Sequence, residues 1–408
     1  MDKSFFDNYR RGDYQRENFD SFLTAVKFSY NVPSIHVAGT NGKGSTVHYI
    51  AGAYAACGYK TGLFHSPFLS EPNEMISING KYISDDDFLR IINQYKKQID
   101  KFNLSGFEIQ TFVALTYFEE NKCDIAVIEC GLGGEIDATN VFVPALSIIT
   151  SVALEHTDAL GYTISEIAAQ KAGIIRDECP ALVGDLPEEA MTAILKTAKE
   201  SNSKLFYLGH FVNKEYRDDG YSFEYGEFGE IKLASIADYS VNDATLALEA
   251  LTTLKDRFPY DVDKVREGLR NVRISCRMEV LRENPRVIVD GAHNPEAMKA
   301  LCSTSIANAS LGKSIHVVFA CFKDKNLGNM LSSLGAITDD LTLTTFDNPR
   351  ARTEDEYFLF IGDYAFNGNA KELIQNKINE FPDDVILVTG SLAFAAYVRD
   401  LFKSGEIK

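Results

Sequence analysis

The sequence has no C-x-x-C pair, no apolar run long enough to cross a membrane, and fewer basic than acidic residues. Its 408 residues include seven cysteines, and 41 Lys and Arg stand against 58 Asp and Glu, which gives a formal net charge of −17 at pH 7. An odd number of scattered cysteines argues against a disulfide framework or a zinc site. The acidic balance argues against nucleic acids and anionic membranes as partners, because both would be repelled at long range.

The start of the sequence also lacks a targeting signal. Residues 1–7 contain no apolar run of the length that a signal peptide needs. We therefore expect a cytoplasmic protein in a reducing compartment. The oligomeric state leaves no trace in the sequence, and a monomer is the default expectation.

Short apolar strands alternate with amphipathic helices, a pattern typical of an α/β fold with a mostly parallel sheet. Strands are predicted at residues 35–38, 61–64, 125–129, 146–150 and 181–183, with helices at 88–95, 107–118 and 164–174. Residues 211–233 favour a hairpin, and a helix follows at 242–254. The alternation restarts with strands at 287–289, 316–320, 341–344 and 385–388. We expect two domains, covering residues 1–272 and 273–408.

The most informative stretch is a glycine-rich loop between a strand and a helix. The strand at residues 35–38 runs into Gly39-Thr40-Asn41-Gly42-Lys43-Gly44-Ser45. Glycines let the backbone turn and aim N–H groups at phosphate oxygens, the following helix adds its positive end, and Lys43 adds a point charge. Two residues separate the first Gly from the Gly-Lys pair, whereas the common Walker form has four. The loop predicts a site for a nucleotide triphosphate, and the alternative is an ordinary Gly-rich turn.

Two further side chains follow predicted strands. Glu129 ends the strand at 125–129, and His156 comes shortly after the strand at 146–150. The carboxyl ends of parallel strands share one edge of a sheet, so both would lie near the phosphate loop. A carboxylate with a hydroxyl and an occasional His can bind nucleotide-associated Mg²⁺. Taken alone, Glu129 is better explained as a helix cap and His156 as a loop histidine. Their position after strands that follow a phosphate loop favours the metal site instead.

Three separated blocks together resemble folylpolyglutamate synthase and the related dihydrofolate synthase, a family within the Mur ligase superfamily. They cover residues 36–45, 129–140 and 290–295. Supporting matches lie at Phe107-Glu108 with Thr111, and at 170–174, 324–325 and 389–392. The matches follow the family order from about residue 34 to residue 400.

The resemblance implies a Mur-ligase-like central domain with the phosphate loop and the folate site over residues 1–272. It implies a second, smaller Rossmann-like α/β domain, the glutamate-ligase domain, over residues 273–408. The implied enzyme is an ATP-dependent ligase that adds L-glutamate to the γ-carboxylate of a folate through an acyl phosphate. Whether it also converts dihydropteroate to dihydrofolate stays open.

Site residues carried over from the family motifs are as follows. Phosphate contacts fall on Asn41, Gly42, Lys43, Gly44 and Ser45, and further nucleotide contacts on Asn242, Arg277 and Asp290. Magnesium ligands fall on Ser66, Glu129 and His156, and His293 stands where ATP and glutamate meet, as a catalytic residue beside Lys43. Folate contacts fall on Phe107, Glu108, Thr111, Ile136, Asp137 and Ala138, with Ser391 in the C-terminal motif. Phe107 is equally explained as a core residue.

Lys171 matches a lysine that is often carbamylated in this superfamily, where the new carboxylate supports a second magnesium ion and catalysis. Such a modification turns a cation into an anionic ligand. The alternative is an ordinary lysine in the last turn of a helix, where positive charge is favoured.

Several residues depart from the family pattern, and they bear on the acceptor rather than on ATP. They are Phe68, Glu135, Glu155, Gln170, Asn326 and the segment 274–276. Glu135 matters most, because it stands where an Arg is usual and would repel an anionic folate tail.

Two alternative functions are weighed against the folate ligase. Residues 347–350, Asp-Asn-Pro-Arg, resemble the amino-acid motif of a muropeptide ligase, but the 38 residues before Gly39 are too few for the sugar-nucleotide domain of those enzymes. A catalytically weak ATP- or folate-binding protein is the other alternative, and the retained motif residues argue against it.

Overall fold

The computed structural model describes residues 3–6, 16–217 and 220–408. The chain divides into two compact units. The first comprises Met1–Lys214, Phe223–Lys232 and Asn242–Val272, and the second comprises Glu215–Ser222, Leu233–Val241 and Arg273–Lys408. Within the described residues no helix is both long and apolar enough to cross a bilayer.

The first unit is built on an eight-stranded sheet. Its strands are β1 (Ser34–Ala38), β2 (Thr61–Phe64), β3 (Ile76–Ile78), β4 (Lys81–Tyr82), β5 (Ile125–Glu129), β6 (Leu146–Ile149), β7 (Ala181–Val183) and β8 (Leu205–Tyr207). They lie in the order β4-β3-β2-β5-β1-β6-β7-β8. The pairs from β2 to β8 are parallel, whereas β3 pairs with β2 and β4 in antiparallel fashion. The sequence-based expectation of a mostly parallel sheet is therefore confirmed, and β1 lies at its centre.

The helices of this part of the chain are α1 (Arg16–Ala25), α2 (Lys43–Ala56), α3 (Asp85–Lys101), α4 (Gly106–Glu120), α5 (Thr157–Leu160), α6 (Ile164–Ala172), α7 (Glu188–Glu200), α8 (Ser240–Thr253) and α9 (Val262–Asn271). Ser105 and Thr163 begin α4 and α6 with capping boxes, each accepting from the N–H three residues on. Helix α2 packs tightly on α9, because a Cβ at Gly268 would lie only 2.7 Å from the Gly52 carbonyl oxygen.

Two of the hydrophobic clusters pack α1, α3, α4, α5, α6 and α7 against the sheet. Phe22, Phe88 and Phe112 of α1, α3 and α4 pack in one cluster with Ile128 of β5. A second cluster joins β6 and β7 to α6 and α7. Burial of these apolar side chains places the carboxyl ends of β5, β1 and β6 next to one another.

A three-stranded sheet follows, where the sequence predicts a hairpin. It consists of β9 (Val212–Arg217), β10 (Gly220–Tyr225) and β11 (Gly229–Leu233), in the order β11-β10-β9. The turn between β10 and β11 uses positive φ angles at Gly226 and Gly229. The predicted hairpin is confirmed, and the structure shows three strands in this region rather than two.

The second unit contains a six-stranded sheet. Its strands are β12 (Glu279–Glu283), β13 (Arg286–Val289), β14 (Ile315–Phe319), β15 (Asp340–Thr344), β16 (Ala365–Asn367) and β17 (Val385–Thr389), in the order β12-β13-β17-β14-β15-β16. Only β12 runs antiparallel to its neighbour. Its helices are α10 (Pro295–Ala300), α11 (Ile306–Ser310), α12 (Leu327–Gly335), α13 (Ala370–Glu380) and α14 (Leu392–Lys403). The predicted second α/β region is confirmed.

Candidate active site

The phosphate loop joins the central strand β1 to helix α2. Gly42 is the N-cap of α2 and has a φ of 84°, a conformation that side chains disfavour. A Cβ at Gly39 would lie 1.9 Å from Thr150 Oγ1, so this loop position has no room for a side chain. The loop therefore requires glycine for two different reasons, backbone conformation at Gly42 and close approach at Gly39.

The start of the loop is fastened to residues that follow β6. The Thr40 N–H donates to the Ser151 carbonyl at 2.9 Å, and the Asn41 N–H donates to Ser151 Oγ at 2.8 Å. Thr150 Oγ1 donates to the Asn41 carbonyl at 2.6 Å. These two amides are thus committed inside the protein, whereas the first amides of α2, from Lys43 onward, have no acceptor within the helix. The amides at the start of α2 can face a phosphate.

Lys43 folds back over this loop. Its Nζ donates to the Gly39 carbonyl at 2.9 Å and to the Thr40 carbonyl at 3.2 Å. The ammonium group is therefore held above the glycine-rich turn, where it adds positive charge to the end of α2.

Glu129 lies beside the same turn. Its carboxylate is buried at the end of β5, and Oε2 would be 3.6 Å from a Cβ at Gly44. The Ser66 N–H donates to Oε2 at 3.1 Å. The segments that follow three neighbouring strands, β1, β5 and β2, thus bring Gly44, Glu129 and Ser66 to one place.

His156 follows β6 in a left-handed conformation, with a φ of 52°. Its Nε2 lies 3.8 Å from Glu155 Oε1, and its side chain is half exposed. Across the described residues, no group of three or more His, Cys, Asp and Glu side chains could hold a metal by itself. Magnesium next to Glu129 would therefore complete its ligands with hydroxyl, water and phosphate oxygens, which is its usual preference.

Lys171 is buried in the last turn of α6. Burial lowers the pKa of Lys171 to about 7, and the nearby charge of Lys43 acts in the same direction, while Cys130, Glu155 and Asp137 oppose it. An ordinary lysine at a helix end is exposed and charged. Lys171 is instead buried, and its lowered pKa means that the amine is only partly charged near neutral pH.

The loop after β5 is organised by Asp137. Its carboxylate accepts from the N–H groups of Leu132 at 2.7 Å and Thr139 at 2.9 Å, and from Thr139 Oγ1 at 2.5 Å. Burial raises the pKa of Asp137, and these hydrogen bonds oppose the rise. Ala138 is buried in a hydrophobic cluster, and Ile136 packs against the cluster of α6 and α7.

Phe107, Glu108 and Thr111 lie in the first turns of α4. The Phe107 ring faces Gly131, where a Cβ would lie 2.4 Å from Cζ. Glu108 is fully buried, and its Oε2 accepts the Ser105 N–H in the capping box. Thr111 is buried, and within the described part of the chain its hydroxyl has no hydrogen-bond partner. Phe107 thus adjoins the loop that contains Asp137, while Glu108 also stabilises the start of its own helix.

In the second unit, Asp290 follows β13. Its carboxylate accepts from the Tyr239 hydroxyl at 2.7 Å and from the N–H groups of Met278 at 2.9 Å and Ala292 at 2.8 Å. The Asp290 carboxylate therefore fixes the position of Tyr239 and of the backbone at Met278 and Ala292.

The remaining predicted residues of the second unit surround Gly291. A Cβ at Gly291 would lie 2.4 Å from Arg277 Nη1 and 2.6 Å from Leu392 Cδ1. His293 Nδ1 lies 2.9 Å from the Gly291 carbonyl oxygen. Ser391 precedes Leu392 and caps α14, accepting from the Ala393 N–H at 3.2 Å. Arg277, His293 and Ser391 are thus brought together at the ends of β13 and β17, which are neighbours in the sheet.

Comparison with known proteins gives a consistent answer over most of the chain. The Mur ligase middle domain family matches residues 37–250, and the Mur ligase glutamate ligase domain family matches residues 276–392. The dihydrofolate synthase/folylpolyglutamate synthase of Bacillus subtilis is 34% identical, over 91% of each chain. The chain belongs to the folylpolyglutamate and dihydrofolate synthase family of Mur ligases.

Other folylpolyglutamate synthases are similar to this chain in sequence and in structure. The folylpolyglutamate synthase of Lacticaseibacillus casei is 31% identical, over 91% of this chain and 90% of its own. The structure of Mycobacterium tuberculosis folylpolyglutamate synthase complexed with ADP superposes with a TM-score of 0.89, at 27% identity over 98% and 97% of the two chains. The structure of Escherichia coli FolC in complex with DHPP and ADP superposes with a TM-score of 0.88. The sequence identity is 27%, and the match covers 99% of this chain and 97% of the FolC chain. As a member of this family of Mur ligases, the chain is an ATP-dependent ligase that forms carbon–nitrogen bonds to an amino acid.

The structure adds residues that the sequence reasoning missed in this Mur ligase. Asp243 comes from α8 and lies against Gly42, whereas its predicted neighbour Asn242 is exposed. Ser151 makes three hydrogen bonds with the phosphate loop, two as an acceptor and one as a donor to the Asn41 carbonyl. Neither has a local motif, because a single Asp in a helix and a single Ser after a strand are common. The one sequence signal for Asp243 was its position next to Asn242, which the family motif predicted as a nucleotide contact.

Proposed function

We propose that this chain adds L-glutamate to the γ-carboxylate of folates, with ATP as the phosphate donor, and that dihydropteroate is a second acceptor. The observation that carries the proposal is the meeting of Gly44, Glu129 and Ser66 at one edge of the first sheet. The relatives named above as folylpolyglutamate and dihydrofolate synthases support the choice of substrates.

The chemistry follows from the poor reactivity of a carboxylate. An oxygen of the folate γ-carboxylate attacks the γ-phosphorus of ATP, the bond to the β–γ bridging oxygen breaks, and ADP leaves. The glutamate amine then attacks the acyl carbon, its extra proton is lost, and inorganic phosphate leaves with the carbon–oxygen bonding pair. Catalysis of both steps requires alignment of reactants and stabilisation of negative charge.

In this proposal the phosphates are bound by the backbone amides of Gly42, Gly44 and Ser45 and by the ammonium group of Lys43. Asn41 shapes the turn that precedes them. Glu129, Ser66 and His156 would hold magnesium, and the buried carboxylate of Glu129 next to Gly44 fits an oxygen-preferring cation. Bound magnesium would offset the charge of the phosphate oxygens.

The acceptor is assigned to the region where Phe107 faces Gly131 and where Asp137 organises the following loop. Glu108, Thr111, Ile136 and Ala138 shape the same region. We assign residues 1–272 as the domain that binds ATP and the acceptor, and residues 273–408 as the glutamate-ligase domain, which also contributes nucleotide contacts. Asn242, Arg277 and Asp290 are proposed as nucleotide contacts, with His293 and Ser391 near the reacting groups.

Lys171 is proposed to react with carbon dioxide. Because its pKa is about 7, a large share of the amine is neutral at physiological pH. The neutral nitrogen bonds to the carbon of CO2 and loses a proton, which leaves a carbamate that supports a second magnesium ion. ¹³C-labelled bicarbonate should give a carbamate NMR signal that is absent in Lys171→Arg, and an identical spectrum in that variant would exclude the carbamate.

We also propose a monomeric, cytoplasmic enzyme without nucleic-acid or membrane partners. All seven cysteines are unpaired, which suits a reducing compartment. The net charge of −17 disfavours polyanionic partners. Light scattering tests the monomeric state, and cell fractionation tests the cytoplasmic location.

A substrate panel tests the main proposal. Dihydropteroate and mono- and diglutamyl folates are each incubated with ATP and L-glutamate, and products are detected by mass increments of one glutamate. Phosphate release that requires both the acceptor and glutamate supports the ligase. Nucleotide binding without turnover on any acceptor overturns it and favours a binding protein.

A further inference from the structure

Four buried polar side chains form a connected network beneath the site of the first unit. His36 is fully buried on β1, between β5 and β6. Its Nε2 lies 2.8 Å from Thr139 Oγ1 and 3.1 Å from Cys130 Sγ. Thr139 Oγ1 in turn lies 2.5 Å from Asp137 Oδ1. The network therefore runs from the strand that precedes the phosphate loop to the loop after β5.

The hydrogens of this network can be assigned by counting donors. Thr139 has one hydroxyl hydrogen, and the carboxylate of Asp137 is its strongest acceptor, so the hydroxyl donates to Oδ1. The Nε2–H tautomer of His36 then donates to Thr139 Oγ1, and Cys130 Sγ lies 3.1 Å from the same nitrogen as a weaker partner. The neutral imidazole has a single N–H, which leaves Nδ1 as an acceptor. Consistent with this, His36 Nδ1 is buried and has no hydrogen-bond partner among the residues that the structure describes.

The charge state of His36 agrees with that assignment. Burial lowers the pKa of His36 to about 3, and the nearby Arg176 acts in the same direction. His36 is therefore neutral at physiological pH and serves as a fixed donor. A fully buried imidazole is costly compared with an apolar residue of similar size, so packing alone does not account for it.

We propose that His36 is a positioning residue for the acceptor substrate, acting through Thr139 to aim the Asp137 carboxylate and the loop around it. The proposal rests on the proposed function, which assigns Asp137 to the acceptor region. Asp137 accepts the N–H groups of Leu132 and Thr139, so its orientation sets the backbone on both sides of Ile136. His36 also precedes Gly39 by only three residues, and one side chain thereby connects the strand before the phosphate loop to the acceptor loop.

Two matched pairs of variants test the proposal. Thr139→Val removes the hydroxyl and Thr139→Ser keeps it, while His36→Leu removes the ring donor and His36→Gln restores an N–H close to the position of Nε2. Thr139→Val and His36→Leu should each raise the KM for the folate acceptor about ten-fold, the loss expected for one buried hydrogen bond. ATP affinity and the KM for glutamate should stay within about two-fold in all four variants, because the phosphate loop keeps its own contacts. The two conservative variants should recover most of the acceptor affinity.

A second measurement does not depend on activity. Hydrogen exchange at the Leu132 and Thr139 amides, which both donate to Asp137, should be faster in Thr139→Val than in Thr139→Ser. Unchanged acceptor KM with unchanged exchange would overturn the proposal, as would an equal loss of affinity for all three substrates. If the wild-type protein fails to turn over any folate, the proposed function falls, and the exchange data alone decide the positioning role: unchanged exchange at these amides overturns it, and faster exchange confined to them supports it.

Discussion

Gly42 and Asp243 meet at the start of helix α2. A Cβ at Gly42 would lie 2.4 Å from Asp243 Oδ1, and the Gly42 φ of 84° already disfavours a side chain. The Asp243 carboxylate thus borders the positive end of the helix that follows the phosphate loop, where a negative charge is stabilising. The contact thus joins the phosphate loop to a helix that is far away in the sequence.

Gly42→Ala should weaken ATP binding by at least about ten-fold, because a left-handed residue with a Cβ is strained and the new methyl group meets Asp243. Titration calorimetry with ATP measures the effect. Gly58→Ala is the matched control, since Gly58 also has a positive φ of 93° but nothing lies within 4 Å of its added Cβ. Equal ATP affinity in Gly42→Ala and the wild type would contradict the described loop.

Lys43→Ala should reduce kcat by at least about 100-fold, because it removes the cation held over the glycine-rich turn where charge develops during phosphate transfer. Phosphate release in the presence of folate and glutamate measures it. Lys196→Ala changes an exposed lysine on α7 and should behave as the wild type. Rates like the wild type in Lys43→Ala would exclude the phosphate-loop assignment.

Glu129→Gln should raise the magnesium concentration for half-maximal activity by about ten-fold or more, since it removes one charged oxygen ligand. The amide oxygen can still accept the Ser66 N–H, so the fold should persist. A magnesium titration at saturating ATP gives the value, with the exposed Glu200→Gln as control. An unchanged magnesium requirement would place the metal elsewhere.

The low pKa of His36 predicts a loss of stability in acid. Below about pH 6.5 the unfolded chain binds a proton at this histidine, whereas the folded chain does not until about pH 3. The free energy of unfolding should therefore fall by roughly 1.4 kcal/mol per pH unit between these values from this group alone. His36→Gln lacks this contribution, so its urea unfolding should depend less steeply on pH. Identical profiles for the two proteins would contradict the buried neutral state.

Glu135→Arg should tighten the binding of folates with several glutamates, by about three-fold at low salt, because an exposed negative charge becomes positive. Affinities are compared across tail lengths and at two ionic strengths, with Glu178→Arg as an exposed control. Equal affinity at every tail length would show that position 135 does not lie near the tail.

Sequence periodicity identified the central strands of both sheets but missed several short strands at or next to the sheet edges. The strands β3, β4, β8 and β16 contain only two or three residues each, and β4 is exposed. Such segments carry little hydrophobic pattern of their own and become strands because a paired neighbour supplies their hydrogen bonds. Helix α3 is likewise longer than the predicted 88–95, since Ser84 caps it and acidic residues favour its first turn.

The spacing of Gly39, Gly42 and Lys43 behind an apolar strand was enough to predict a glycine-rich turn between a strand and a helix, since short-range geometry and residue type specify it. Tertiary structure alone decided that Asp243 lies against Gly42, that burial lowers the pKa of Lys171, and that His36 reaches Thr139. These properties come from groups far apart in the chain, and burial and electrostatic environment exist only once those groups have packed together.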